Sequence, residues 1–357
     1  GYKALNTNNL DDSAIALPGD YFNTVLYAGN GGTQSVTGAG FAPDFVWIKN
    51  RTDAVNHGLF DTIRGVKNSL QSNTTTEART AAGATEDLYA FGTDGFSVGV
   101  GGGAYINCNE SSKNYVSWNW KAGTSFDPAT AGTVASGSGS ANATAGFSIV
   151  KYPGSASDVT VGHGLSQAPE LILIKNIDAA VSWPVYAGPL GNAKRLELND
   201  PYLFQTTTFW VSTSPTASVF TLDGGVEGIN KSGEDFIAYC FNSVENYSKV
   251  GSYTANGNAD GPFIYTGFRP AYTIIKPYSR SDNWAVSDSV RSPYNGSTNQ
   301  LRANLNEADF ANSASAIDYL SNGFKIRTSD PGLNNSTSDT YLYYAIAESP
   351  FKTSNAR

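Results

Sequence analysis

The chain has 357 residues, of which 40% are hydrophobic and 15% charged, with a formal net charge of −8. That length exceeds the usual single-domain size, so two or three domains are expected. The sparse, net-negative charge argues against nucleic acid or an anionic membrane as the main partner, since both reward clustered Lys and Arg. No apolar run of transmembrane length and no basic-then-apolar leader occurs, so membrane insertion is not expected.

Residues 1–19 are polar and read as an extended arm. The chain has no Met, so Gly1 is read as following a processing site or further upstream sequence. A first unit, 20–123, contains "FAPDFVWIKN", which ends at Asn50. Phe45 and Trp47 alternate with Val46 and Ile48, which predicts a strand covered on both faces. The phrase returns as "QAPELILIKN", ending at Asn176, and as "FRPAYTIIKP", ending at Pro277. Tyr27, Tyr152 and Tyr253 precede the lysines Lys49, Lys175 and Lys276 by 22, 23 and 23 residues, and an aromatic strand begins later in each copy at Tyr115, Phe236 and Tyr341. This is an internal repeat.

Between the first two copies, 124–144 is rich in Gly, Ser, Ala and Thr and reads as a linker or weak edge strand, which puts unit one on a longer tether. Units two and three, 145–246 and 247–357, should pack closely. Short apolar alternations between turn clusters, with Asx-Gly pairs at Asp94 and Asn322, indicate an all-β fold: three tandem β-sandwich, jelly-roll-like units of about 100 residues.

Each repeated strand ends in a lysine, and an Asp-x-x-Arg follows in two copies: Asp61 with Arg64, and Asp288 with Arg291. A hairpin neighbour could bring Asp61 to Lys49 and Asp288 to Lys276 as structural ion pairs. Unit two has Ala187 instead, so Lys175 should lack such a partner and sit nearer solvent.

The sequence contains no sign of catalysis. The two histidines, His57 and His163, lie in Gly-flanked turns, and no nucleophile elbow, zinc motif or P-loop is present. "GNADG", Gly257 to Gly261, lacks the register of a calcium loop and reads as a turn. Cys108 and Cys240 read as buried free thiols. No catalytic residue, metal or cofactor is expected. Asn109, Asn230 and Asn334, each within an N-x-S/T, read as turn residues bonding their own backbone. Trp183 and Trp284 hold matching positions and read as core. The exposed tyrosines Tyr202, Tyr278 and Tyr294 are the better candidates for surface binding.

Several phrases are longer than turn or strand patterning requires: "FVWIKNRT", "HGLFDTIRG", "YVSWNWKAG", "VGHGLSQAPELILIKN", "YSKVGSYTANGNADGPFIYTGFRP" and "IDYLSNGFKIRTSD". In these the chain resembles, along nearly its whole length, the C-terminal region of a family of bacteriophage tail fibre proteins abundant in marine phages. Relatives often carry an upstream lectin-like sandwich. The resemblance implies a virion location on the tail or capsid surface, association with other tail proteins, and assembly as a homo-oligomer, most simply a trimer. A second motive for a trimer is that late strands such as "YVSWNWKAG" and "YLYYAIAES" have few charges to blunt exposed edges. The chain is thus expected to be a non-enzymatic virion appendage that positions or performs recognition of a host surface glycan or protein. The alternatives are a purely structural virion protein, such as a capsid decoration or fibre shaft subunit, and a surface-glycan depolymerase.

Overall fold

A computed structural model describes residues 12–100, 106–311 and 316–354. Most of the expected N-terminal arm, 1–11, lies outside the described residues. The protein is nearly all β, and no helix among the described residues is long and apolar enough to cross a membrane.

Each unit is built on one antiparallel main sheet that contains four strands in the same order. In unit one these are Phe22–Ala28, Asn114–Trp120, Phe45–Asn50 and Gly58–Asp61. In unit two they are Phe147–Pro153, Asp235–Phe241, Leu171–Asn176 and Pro184–Ala187, and in unit three Ser248–Thr254, Thr340–Pro350, Phe268–Pro277 and Ala285–Asp288. The late aromatic strand and the lysine-bearing strand are therefore always the two central ones. Lys49, Lys175 and Lys276 lie directly opposite Val116, Ile237 and Leu342, so the three lysines are topologically equivalent.

The two faces of each main sheet have different duties. In unit one, Val46 and Ile48 face outward, where they pack with Phe60 and with Phe96 and Val98 of a small sheet (Gln34–Thr37, Gly95–Val98, Leu88–Gly92). Unit two uses Val159–Gly162 with Val219–Leu222, and unit three Phe263–Tyr265, Gly323–Ile326 and Ile317–Leu320, in the same way. These are the three sandwiches. The opposite faces converge on a core common to the whole chain, where Phe45, Trp47 and Trp120 meet Leu171, Leu173 and Phe241 of unit two and Tyr272, Ile274 and Tyr344 of unit three. The cavity at their meeting point is only about 20 Å³. Burial on both faces is the reason the repeated strand is a continuous apolar run rather than an alternating one.

Two expectations are corrected here. The stretch 124–144 takes the edge-strand alternative and not that of a slack tether: Thr124–Phe126 and Ser138–Asn142 add two strands at one side of the unit-two sheet, and unit one shares its core with the other two. The late strands are sheet centres, buried on both sides, so they expose no edge for a trimer to cover.

Candidate functional sites: the inter-unit seams and the exposed aromatics

In every copy the lysine ends the inward-facing row of its strand, after Phe45 and Trp47 in unit one, where the common core meets the connecting loops. Its fully buried ammonium bonds to backbone carbonyls. Lys49 donates to Asn50 O at 2.8 Å and to Asn306 O of unit three at 3.3 Å. Lys276 donates to Asp282 O and, at 2.8 Å, to Pro201 O of unit two. Lys175 donates to Asn176 O and Ala179 O at 2.7 and 2.9 Å. Burial away from water pushes the pKa values of Lys49 and Lys175 down to about 8 and that of Lys276 to about 7.

The expected pairs Lys49–Asp61 and Lys276–Asp288 do not form. In the antiparallel hairpin Asp61 lies opposite Phe45 and Asp288 opposite Tyr272, each four residues from the lysine and at the far end of the strand. Register thus separates them by about 13 Å. Each aspartate instead bonds its own arginine three residues on: Arg64 Nε to Asp61 and Arg291 Nε to Asp288, both at 2.6 Å and almost wholly buried. Both carboxylates then reach the next unit, Asp61 accepting from the Tyr239 hydroxyl at 2.7 Å and Asp288 from Trp118 Nε1 at 3.1 Å. In unit two Ala187 and Leu190 replace the pair, and both lie in the common core. Lys175, expected nearer solvent, is fully buried.

A third set of equivalents closes the ring of seams. Eight residues after each lysine stands His57, Trp183 or Trp284, all buried. Trp183 Nε1 donates to Gln71 O of unit one at 3.0 Å, and Trp284 Nε1 to Glu197 O of unit two at 2.9 Å. His57 takes the same place toward unit three. Its Nδ1 accepts from Trp47 Nε1 at 2.8 Å, which puts the proton on Nε2, and Nε2 donates to Arg302 O and Leu305 O at 3.0 and 3.1 Å. Burial holds the imidazole pKa well below its usual value, so it stays neutral. Unit one leans on three, three on two, and two on one. The Lys-plus-eight spacing carried this signal in the sequence, but a histidine in place of tryptophan concealed it.

The three asparagines also act at longer range than expected. Asn109, Asn230 and Asn334 are buried and bridge to the loop after the first strand of their unit: Asn30 N donates to Asn109 Oδ1, Ser155 N to Asn230 Oδ1, and Asn256 N to Asn334 Oδ1. Among the described residues no group of His, Cys, Asp or Glu could hold a metal ion. Asp260 of "GNADG" pairs with Lys325 at 2.9 Å, and Cys108 and Cys240 are free and buried in different units.

Of the surface tyrosines, Tyr202 and Tyr294 are 57% and 82% exposed, whereas Tyr278 packs partly against the core. Tyr202 and Tyr278 lie at the seam of units two and three, where Phe204 N donates to Tyr278 O. Tyr294 belongs to the loop after Arg291, so the three do not form one site. Sequence reasoning passed over Phe263 and Tyr265, which are exposed on an edge strand of unit three.

The family model described as a domain of unknown function, DUF7483, matches residues 17–350, from just before the first strand to the last. The chain belongs to the DUF7483 family. The DUF7483 match takes in all three units, as expected if the ring of seams is a property of the whole domain. No curated protein and no solved structure matches the chain.

Proposed function

We propose that this DUF7483 protein is a non-enzymatic virion appendage protein, a tail fibre or similar surface protein, that positions or performs recognition of the host surface. The reading rests first on the resemblance of the long phrases to the C-terminal regions of phage tail fibre proteins. The geometric observation that best supports it is the commitment of the buried charged and polar groups at the seams, Lys49, Asp61, His57, Lys276 and Asp288, to holding three sandwiches as one body. Such a body resists shear and presents loops on its outside, which suits an external scaffold. In this reading a homo-oligomer about an appendage axis rests on the resemblance alone, since the late strands need no cover from a second copy.

The test is binding of the labelled full chain to a panel of marine bacterial cells, with an assay for cleavage of their surface polysaccharides. Saturable binding to some cells without cleavage is expected. Cleavage would replace the proposal with a depolymerase, and absence of binding to every cell would favour a purely structural virion subunit. The mass of the intact assembly in solution decides its oligomeric state.

A further inference from the structure

The three-fold repetition provides an internal comparison, because an exposed feature peculiar to one unit is not demanded by the fold that all three share. The edge strand of each small sheet can be aligned by its buried residue: Val36 opposite Phe96, Val161 opposite Phe220, and Ile264 opposite Phe324. The residues flanking it are Ser35 and Thr37 in unit one, Thr160 and Gly162 in unit two, and Phe263 and Tyr265 in unit three. Phe263 and Tyr265 are 44% and 55% exposed. The lysine beside them is also peculiar to unit three. Lys249 stands four residues before Tyr253, where the sister units have Asn23 and Ser148.

Lys249 Nζ lies 5.5 Å from the centre of the Tyr265 ring and donates to Tyr265 O at 3.1 Å. One face of the ring is thereby steadied while much of the side chain stays open to solvent. A groove of about 300 Å³ runs along Tyr265 between Ser243, Glu245, Asn246 and Lys249, and a hollow of about 150 Å³ adjoins it past Glu245 and Asn246 toward Phe351. Phe263 packs in part over Gly323, so part of its role is structural. The hydroxyl end of Tyr265 lies near Gly267, 3.7 Å from where a Cβ there would stand, yet the side chain remains the more exposed of the two.

We propose that Tyr265, with Lys249, Glu245 and Asn246, forms a saccharide-binding site for a pyranose unit of a surface polysaccharide. The inference rests on the recognition function proposed above and locates it. A flat ring offers an apolar platform to the C–H face of a sugar, while an amide, a carboxylate and an ammonium at its rim bond hydroxyl groups. Addition of a peptide strand fits less well. Lys249 already occupies the Tyr265 carbonyl, and the next two backbone N–H groups, of Thr266 and Gly267, already donate to Asn322 O.

The test uses the full chain with Tyr265→Thr, the residue of unit one, with Lys249→Asn as a second variant and Leu26→Thr, at an exposed position of unit one, as a surface control. Probes are intact marine bacterial cells and polysaccharides extracted from them, with direct binding followed by saturation-transfer NMR. Tyr265→Thr and Lys249→Asn should each weaken polysaccharide binding about tenfold with unchanged thermal stability, and Leu26→Thr should leave binding unchanged. Full binding by Tyr265→Thr to cells that the wild type binds would overturn the site and leave the recognition function standing. Cell binding abolished by protease treatment of the cells and not competed by polysaccharide would overturn the saccharide. If the wild type binds no cell, the recognition function fails; the site then fails with it unless the extracted polysaccharides give a Tyr265-dependent NMR signal.

Discussion

Asp61 and Arg64 form an ion pair that unit two does without, and this makes the pair testable. Removing one member leaves a buried, uncompensated charge, whereas replacing both with apolar residues of fitting shape is far milder. Asp61→Ala should therefore destabilise the protein by about 3–5 kcal/mol in denaturant titration, and Asp61→Ala with Arg64→Leu, the combination already present as Ala187 and Leu190, should cost clearly less. A double variant at least as damaged as the single would show that the pair itself is required. The lysines give a pH prediction. Their folded pKa values, about 7 for Lys276 and about 8 for Lys49 and Lys175, lie below the unfolded value of 10.5. Between these limits the unfolded chain binds more protons than the folded one, so stability rises with pH from about 7 toward 10.5. Burial raises Tyr253, Tyr343 and several other tyrosines above the usual 10, which reverses the slope above about pH 10. The midpoint of thermal unfolding should rise by about 2 °C or more from pH 7 to 9 and fall again beyond 10, with a flatter rise in Lys276→Met. A midpoint independent of pH over that range would mean the amines are not desolvated.

Among the elements, the landmarks read from the sequence correspond to one physical device. Tyr27, Tyr152 and Tyr253, on the first strand of each unit, stack on Tyr115, Phe236 and Tyr341 of the neighbouring late strand, with centroids 4.9, 5.5 and 5.0 Å apart and planes within 15°. Their hydroxyls donate to Cys108 O, Ile229 O and Leu333 O, each the residue before a clamping asparagine. The tyrosine holds the asparagine's loop and the asparagine holds the loop that follows the tyrosine's strand. Spacing made the repeat and the central strands legible, because stacking and two-sided burial fix residue type at fixed intervals. It could not show the partners of Lys49 or Asp61, because strand register and the approach of a different unit decide those. The Asx-Gly signals were legible as hairpins, yet their glycines serve another end. A Cβ on Gly95 would sit 2.0 Å from Val36 O, and one on Gly323 2.1 Å from Ile264 O. Gly323→Ala should consequently force the small sheet of unit three apart and cost about 1–3 kcal/mol in denaturant titration. Wild-type stability would mean that the edge strand yields freely.

For the molecule as a whole, the sequence showed three units but not that they share one interior. Apolar residues on both faces of a strand reveal burial, not which body does the burying. The inward faces of all three main sheets meet around Phe45, Leu171 and Tyr272, and the seams hydrogen-bond in a ring through His57, Trp183 and Trp284. Freeing any one unit would expose aromatic surface of the other two, so opening of a single seam should be nearly as costly as global unfolding. The chain should then melt in a single calorimetric transition whose van't Hoff enthalpy matches the calorimetric one, unusual for 357 residues. Trp284→Ala, which removes a ring from the common core and its bond to Glu197 O, should lower that single transition instead of splitting off unit three. Separate transitions in the wild type, or survival of units one and two at their original midpoint in the variant, would show three sandwiches in mere contact, each folding on its own outer core.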